Sequence, residues 1–482
     1  MALGTAAAST AGCSTLDRWV LGDALNEGDK VVILGAGMAG LSAAFHLKKN
    51  QVPFRLYEAS SRVGGRAWTI KDLNISSGEG ELGAERIEMD HAEIRSLAAE
   101  LKVKLLEIET NESLAWFEKG KFLPAKEWKN ESAELVKLFQ QIQIEAYGRT
   151  PSILSLQNQD QFPKAVLLDR MSAAELLDRL QLQMKPWMKP FLEQVVRAEW
   201  GVDPAFLSSL HLIHWMRDSF RPFKKKYIKV AGGTSILTSA LFDRVGGVIP
   251  ERFVRFQYQL TEVKTLEKGW SLIFRTPEGH SEIKAQRVIC TLPPTLLRQV
   301  SGWESLPLSD SKRSQMSQQQ LGTHAKVLLS FQERFWGESS ILGKGGDWYT
   351  DLTASRITEG GDPAMSGLQS LHGVLQASLG GKAGEAAGPH LVPALLKDLD
   401  KMSEKPTLYE NISYVQNWKM HPWSKGSRSY LKPGQFQNFD VSPPASGSWL
   451  LAGESHSLPY LGTLNGAVVT GIQAAKGFVK NG

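Results

Sequence analysis

The sequence has little cysteine, no long apolar run and no strong excess of charge. Of its two cysteines, Cys290 lies in the apolar run RVICTLPP, where we expect a buried, inert thiol. No apolar stretch reaches the roughly 20 residues of a membrane-spanning helix, so we predict no transmembrane span. The net charge of +5 is spread along the chain, and its densest run is only Lys224–Lys226. We therefore expect no nucleic-acid partner.

The other cysteine, Cys13, ends the apolar, small-residue stretch MALGTAAASTAGC. This stretch resembles the hydrophobic and cleavage regions of a bacterial twin-arginine lipoprotein signal, but without the positively charged leader. Two interpretations stay open for residues 1–27. A truncated export signal would predict a periplasmic or lipid-anchored protein, whereas a plain flexible tail would predict a cytoplasmic one.

Glycine, by contrast, is abundant, and its spacing carries the first functional signal. The chain has 44 glycines in 482 residues, which favours an α/β protein of two or three domains with many tight turns. An apolar strand at Val31–Leu34 leads directly into Gly35, Gly37 and Gly40, and an Ala/Leu-rich helix follows. These glycines permit a tight turn, close approach of the backbone to a pyrophosphate, and close helix–strand packing, respectively.

An acidic residue at the end of the next strand completes a dinucleotide-binding pattern. The strand PFRLYEAS ends at Glu58, which is placed to accept a hydrogen bond from a ribose hydroxyl. A carboxylate here suits an unphosphorylated ribose, so the pattern predicts NAD or FAD.

Helix-start signals and the positions of the glycine motifs suggest the domain organisation. Asp90 with Glu93, and Ser172 with Glu175, have capping-box spacing and predict two helix starts. Cofactor-binding patterns occur at the beginning, middle and end of the chain, so one domain should be discontinuous. We predict an α/β fold in which a Rossmann-like FAD-binding domain (28–100, 226–305 and 440–482) carries an inserted α+β substrate-binding domain (101–225 and 306–439).

Seven ordered motifs over about residues 28–480 resemble the flavin-containing amine oxidase family. They are SSRVGGRAWT, ELGAERI, VAGGTSIL with LTEVK, RVICTLPPTLL, LGTHAKVLLSFQERFW, NWKMHPWSKGSRSYLKPGQF, and LLAGESHSLPYLGTLNGAVVTGIQAAK. The resemblance implies FAD, and it assigns cofactor contacts along the chain. It places Arg66 at the pyrophosphate, Gly83 and Ala84 beside the flavin ring, the Val263 backbone at the adenine, Gly453 with Glu454 at the ribityl chain, and the N-terminus of a helix beginning near Leu464 at a ring carbonyl.

The same resemblance implies roles around the substrate. Lys326 matches the family lysine that holds a water near the reactive flavin nitrogen and assists reoxidation by oxygen. Covalent-flavin members have cysteine where Ser427 stands, so FAD should be noncovalent. The substrate side should include Trp418. Arg428 and Thr463 stand where monoamine oxidases have two tyrosines. A one-residue gap in this match would instead bring Tyr430 to one of these positions.

Arg86 has two competing interpretations. It matches an arginine that binds the substrate carboxylate in L-amino-acid oxidases, and a planar guanidinium suits that partner. Alternatively, it forms an internal salt bridge with Glu85 or Glu88.

The resulting hypothesis is an FAD-dependent L-amino-acid oxidase that produces an imine, then a 2-oxo acid, ammonia and hydrogen peroxide. A primary-amine or polyamine oxidase is the first alternative. A flavin desaturase and a non-enzymatic flavin-binding module are two further alternatives. The expected partners are a small amine or amino acid and oxygen, a homodimer is possible, and no metal site is predicted.

Overall fold

The structure is a computed structural model that describes most of the chain beyond residue 30. The predicted N-terminal tail with Cys13, and Lys224 and Lys225 of the basic run, lie outside the described residues. The described ranges are 31–71, 80–109, 114–148, 162–218, 226–246, 252–337, 347–360, 373–403, 409–440 and 447–479.

A five-stranded parallel sheet, called here the central sheet, organises the cofactor-binding half. Its innermost strand, Val31–Leu34, is completely buried, as expected for a β-branched strand covered on both faces. The strands come from the beginning, middle and end of the chain, which confirms a discontinuous Rossmann-like fold. In spatial order they are Trp449–Leu451, Arg287–Cys290, Val31–Leu34, Phe54–Tyr57 and Val254–Arg255.

Helices Met38–Lys49, Ala92–Glu100, Thr234–Gly246 and Leu464–Lys476 pack with one face of this sheet in a single apolar cluster. Small residues allow close approach: a Cβ added at Gly471 would lie 2.3 Å from the Ala39 carbonyl oxygen. The opposite face is covered by an antiparallel three-stranded sheet of Gln259–Thr265, Trp270–Thr276 and Gly279–Ala285.

A seven-stranded mixed sheet, called here the substrate-side sheet, organises the second half. Its strands, in spatial order, are Tyr409–Asn417, Ala325–Phe331, Gly373–Leu379, Arg356–Glu359, Asp347–Thr350, Leu114–Glu118 and Lys121–Phe122. A helical layer packs against part of it through a second apolar cluster. These helices are Ala125–Tyr147, Pro163–Arg170, Ala173–Leu180, Met188–Trp200 and Ser209–Asp218.

Short elements connect the two halves. The paired two-stranded ladders are Thr69–Ile70 with Gly80–Glu81, Leu105–Glu109 with Lys226–Val230, and Gln320–Leu321 with Ser429–Tyr430. The remaining α-helices are Pro294–Leu297, Asp310–Gln318, Gly381–Ala386 and Val392–Met402. Within the described residues, no helix is both long and apolar enough to cross a membrane. The α/β class with an α+β partner is confirmed, and the numerical domain boundaries stay a prediction.

One of the two predicted capping boxes is confirmed. The Ser172 hydroxyl accepts from the Glu175 N–H, and the Glu175 carboxylate accepts from the Ser172 N–H, at the start of helix Ala173–Leu180. The Asp90 box is wrong, because the helix begins at Ala92 and His91 is its N-cap, without a side-chain cap bond.

The third glycine of the first motif provides a stability prediction. A Cβ at Gly40 would lie 1.9 Å from the Gly35 carbonyl oxygen, so the helix could not stay against the turn. We expect Gly40→Ala to lower the free energy of unfolding by about 1–3 kcal/mol and to reduce the FAD content of the purified protein. The control is Gly120→Asn, because that site is open and asparagine tolerates its positive φ. Urea unfolding and absorbance spectra measure both effects, and equal stability of the two variants would contradict this role of Gly40.

Candidate active site

A cavity of about 1890 Å³ lies where the central sheet and the substrate-side sheet meet. This volume exceeds that of an ordinary small-molecule pocket of roughly 300–1,000 Å³. Its wall includes Gly35 and Gly37 of the first glycine turn at one end, and Lys326 and Arg86 at the other. The sequence-predicted cofactor and substrate residues are thus largely brought to one continuous space.

The glycine turns form the cradle for a dinucleotide phosphate. Gly35 has a φ of +102°, and Gly37 is the N-cap of helix Met38–Lys49. Gly37 also forms a backbone bridge with Gly64 of the second glycine motif. The unpaired N–H groups of this helix start face the cavity, where they suit a pyrophosphate. Gly40 does not line the cavity, which fits its expected packing role.

Glu58 is held rigidly at the end of the second central strand. One carboxylate oxygen accepts from the Ala36 N–H at 2.6 Å, and the other accepts from the Ser60 N–H and hydroxyl at 2.8 Å. The carboxylate lines the cavity and retains lone pairs that can accept from a ribose.

Arg66 and Glu454, both predicted to contact the cofactor, form an ion pair with each other. Arg66 Nη1 lies 2.5 Å from Glu454 Oε1 and 2.5 Å from the Ser427 carbonyl oxygen. Glu454 also accepts from the Ser429 hydroxyl and the Gly462 N–H. The described residues offer no hydrogen-bond partner for the other two Arg66 nitrogens, so these N–H groups can still donate to a phosphate.

Val263, predicted to contact adenine through its backbone, does not line the cavity. Its N–H donates to the Ser301 carbonyl oxygen at 2.8 Å, and its side chain is buried in the core. The cavity wall is instead formed three residues earlier, around Leu260. A β-bulge between Leu260 and Glu262 shifts the strand register, and the apolar pattern alone did not reveal this shift.

Gly83 and Ala84 form the turn that was expected beside the flavin ring, and both line the cavity. A Cβ on Gly83 would lie 2.0 Å from the Arg66 carbonyl oxygen, so only glycine fits. Opposite this turn, Gly453 has a φ of +137°, and helix Leu464–Lys476 begins at the cavity. Thr463 lines the cavity, but its hydroxyl caps that helix by accepting from the Gly466 N–H at 3.1 Å.

Lys326 is largely buried on the strand Ala325–Phe331. Its ammonium donates to the Gly83 carbonyl oxygen at 2.7 Å and lies 3.6 Å from a Glu85 carboxylate oxygen. Burial lowers the pKa of Lys326, while Glu85 opposes that change. Glu85 is also 2.7 Å from Lys229, and the two lysines outweigh burial and hold the Glu85 pKa well below its ordinary value.

Arg86 forms a salt bridge, but with neither of the two predicted partners. Its Nη2 lies 3.0 Å from Asp347, and its guanidinium stacks 4.4 Å from the centre of the Tyr227 ring. Arg356 binds the same Asp347 carboxylate through two nitrogens, at 2.8 and 2.7 Å. Burial raises the pKa of Asp347, but the two arginines outweigh it and hold that pKa below its ordinary value. This partner lies 261 residues away in sequence, beyond the reach of local pattern reading.

Of the other predicted pocket residues, Trp418 and Arg428 line the cavity and Tyr430 does not. Trp418 donates from its indole nitrogen to the Leu82 carbonyl oxygen at 2.8 Å. Tyr430 lies in the short strand Ser429–Tyr430, where it pairs with Gln320 and packs into the helical layer's apolar cluster. Burial raises its pKa to about 12.

Sequence reasoning missed several polar residues on the cavity wall. Glu199 accepts from Arg356 Nη1 at 2.8 Å and from the Tyr349 hydroxyl at 3.0 Å. His324 stands two residues before Lys326 and immediately precedes the strand Ala325–Phe331. Its Nε2 lies 2.8 Å from the Ala198 carbonyl oxygen, so this nitrogen carries the proton, and its Nδ1 lies 2.6 Å from the Ser427 hydroxyl oxygen.

The discontinuous dinucleotide fold and its charged cavity are features expected of a flavin oxidoreductase, and comparison with known proteins shows the family. The family model for flavin-containing amine oxidoreductases matches residues 38–477, and the chain belongs to this family. Its cofactor is FAD. The glycine cradle, the Glu58 carboxylate and the free Arg66 nitrogens fit that cofactor, and the space beyond Gly83 and Ala84 remains for a substrate.

Individual relatives are distant. The chain is 23% identical over 470 residues to an L-amino-acid oxidase of Crotalus adamanteus, covering 93% of this chain and 86% of the relative. It is 25% identical to lysine-specific histone demethylase 1 homolog 3 of Arabidopsis thaliana, covering 92% of this chain but 30% of that protein. Cyclohexylamine oxidase from Brevibacterium oxydans matches in fold with a TM-score of 0.77 and 20% identity, covering 93% and 98% of the two chains.

The buried Glu85 carboxylate provides the prediction from this site. Glu85→Gln would leave Lys229 and Lys326 without their shared anionic partner. We expect the free energy of unfolding to fall by about 3–5 kcal/mol, as for other buried pairs that lose one charge. In the control, Glu100→Gln removes an exposed pair with Lys49, and we expect a change below about 1 kcal/mol. Equal urea midpoints for the two variants would refute the buried-charge account.

Proposed function

We propose that the protein is an FAD-dependent L-amino-acid oxidase. The observation that carries this proposal is the binding capacity left on Arg86. Its guanidinium lines the cavity, next to the Gly83–Ala84 turn, and contacts Asp347 through one nitrogen. For its Nε and Nη1 the described residues offer no hydrogen-bond partner, so these donors can receive a carboxylate.

The reaction has a simple electron balance. Bound FAD supplies the two-electron acceptor that takes a hydride from the carbon bearing the amine. The amine lone pair forms the C=N bond of an imine. Water then replaces the nitrogen, which gives a 2-oxo acid and ammonia. Oxygen accepts the two electrons and is reduced to hydrogen peroxide.

The residues of the chain position and neutralise the substrate. Arg86 would hold the α-carboxylate, and Asp347 with Arg356 would fix the orientation of Arg86. Lys326, anchored on the Gly83 carbonyl oxygen, would hold a water or oxygen species against the ring. The reaction needs no further acid–base triad, because a carbon that bears a neutral amine loses hydride readily.

A primary-amine or polyamine oxidase is the second candidate, and the carboxylates of Asp347 and Glu199 on the cavity wall favour it. Both carboxylates are already paired with Arg356, which weakens this alternative. A survey of common L-amino acids and amines by hydrogen peroxide release tests the proposal directly. Turnover of amines alone would exclude the amino-acid assignment, and absence of peroxide and flavin reduction with both classes would exclude an oxidase.

Replacing Arg86 should separate these candidates. We expect Arg86→Ala to lower kcat/KM for an L-amino acid by about 100-fold, chiefly through KM, because a charged bidentate contact is lost. The matched control is Arg95→Ala, which removes an exposed arginine bound to the Met89 carbonyl oxygen. Unchanged steady-state kinetics of the Arg86 variant would eliminate the carboxylate-binding role.

Replacing Lys326 should affect the oxygen step selectively. We expect Lys326→Met to slow reoxidation of the reduced flavin by about 100-fold, in the range of a lost proton-handling group. Anaerobic flavin reduction should change far less. Stopped-flow measurements resolve the two half-reactions, and slowing confined to flavin reduction would contradict the assigned role.

A further inference from the structure

We infer that Arg428 forms a second anion subsite, so that the substrate is a dicarboxylic L-amino acid such as glutamate or aspartate. This inference rests on the proposed function, since Arg86 is assigned to the α-carboxylate. Arg428 would then bind the side-chain carboxylate at the other end of the substrate. None of the family relatives reported above is described by such a substrate.

Arg428 is a cavity-wall guanidinium whose protein contacts are to neutral groups. Its Nη1 donates to the Glu199 carbonyl oxygen at 3.0 Å, and its Nη2 donates to the Leu461 carbonyl oxygen at 3.3 Å. Its Nε is buried without a hydrogen-bond partner. No described carboxylate forms an ion pair with Arg428, so its charge lacks direct compensation.

The carboxylate of Glu199, the residue whose backbone oxygen contacts Arg428, is engaged elsewhere. Its Oε1 lies 2.8 Å from Arg356 Nη1 and 3.0 Å from the Tyr349 hydroxyl, while only its backbone oxygen meets Arg428. A partly buried guanidinium whose protein contacts are to backbone oxygens alone favours an incoming anion.

Two histidines, His211 and His324, are close enough to Arg428 for its charge to act on their pKa values. Burial, with a smaller contribution from the Arg428 charge, lowers the pKa of His211 well below its ordinary value. Burial and the same charge also lower the pKa of His324, to about 4. His214 lines this part of the cavity as well. At neutral pH His211 and His324 add no charge beside Arg428, and the Glu454 carboxylate, which accepts from the Gly462 N–H, is paired with Arg66.

Arg428 and Arg86 both line the cavity. A Cβ at Gly462 would lie 2.5 Å from Arg428 Nε, so the guanidinium lies against the turn that precedes helix Leu464–Lys476. Arg86 and Arg428 are linked along one wall: Arg86 contacts Asp347, Arg356 joins Asp347 to Glu199, and the Glu199 backbone contacts Arg428. The two cations thus face the same space from opposite ends of this chain of contacts.

Substrate preference gives the first test. In the wild-type holoenzyme, kcat/KM for L-glutamate or L-aspartate should exceed that for L-glutamine, L-asparagine and L-leucine by at least about 100-fold, because a site with unpaired buried donors discriminates strongly. Arg428→Gln should remove this preference, while Arg428→Lys should keep part of it. The control Arg95→Gln should leave the preference unchanged.

Binding of ligands that cannot be oxidised gives an independent readout in the wild-type holoenzyme. Glutarate should perturb the flavin absorbance of the wild-type holoenzyme with a Kd at least about 10-fold below that of the monocarboxylate valerate, equivalent to 1.4 kcal/mol. Arg428→Gln should abolish this difference if the variant retains its flavin spectrum.

The outcomes separate this inference from the proposed function. Oxidation of leucine or glutamine at least as well as of glutamate, with equal binding of glutarate and valerate, would overturn the Arg428 subsite and leave the amino-acid oxidase standing. Flavin reduction by amines but by no L-amino acid would overturn both.

Discussion

The sharing of one buried carboxylate, that of Asp347, between two guanidinium groups determines the chemistry of the substrate side. Arg356 binds Asp347 through two nitrogens, whereas Arg86 contacts it through one. Asp347 therefore stabilises the charge of Arg86 through one nitrogen, Nη2, and leaves the other guanidinium N–H donors available. A buried arginine without any carboxylate partner would be strongly destabilising. An arginine that did not share its carboxylate partner would have less capacity to bind a substrate anion.

A second shared carboxylate, that of Glu85, compensates the charges of two lysines beside the Gly83–Ala84 turn. Glu85 lies between Lys229 and Lys326, and Lys326 donates to the carbonyl oxygen of Gly83. Because Glu85 and Arg86 are sequence neighbours, one short turn carries both charge networks into the cavity. The cofactor wall and the substrate wall are therefore built from the same segment, and a change in either network should affect the other.

The sequence allowed the local parts of this site to be predicted. Strand, glycine turn and helix occur in consecutive residues, and their spacing alone defines the phosphate cradle around Gly35 and Gly37. Errors arose where the outcome depends on register or on distant partners. Val263 follows a β-bulge in its strand and does not line the cavity, and Tyr430 pairs with Gln320 and packs in an apolar core.

Contacts between segments that are far apart in the chain could not be predicted from the sequence, for the same reason. The bond between Arg86 and Asp347 spans 261 residues, and no local periodicity encodes it. Glu199 and His324 likewise acquire their neighbours only when the helical layer meets the substrate-side sheet. Their residue types suggested polar surface as readily as a cavity wall.

The central claim is that a hydride leaves the α-carbon of a carboxylate-bearing amine. Its most direct test is anaerobic mixing of the yellow holoenzyme with an L-amino acid, either unlabelled or deuterated at that carbon, while the visible flavin absorbance is followed. The account predicts bleaching by the L-enantiomer and slower bleaching by its deuterated form. Bleaching by an amine without a carboxylate, and none by any L-amino acid, would contradict it.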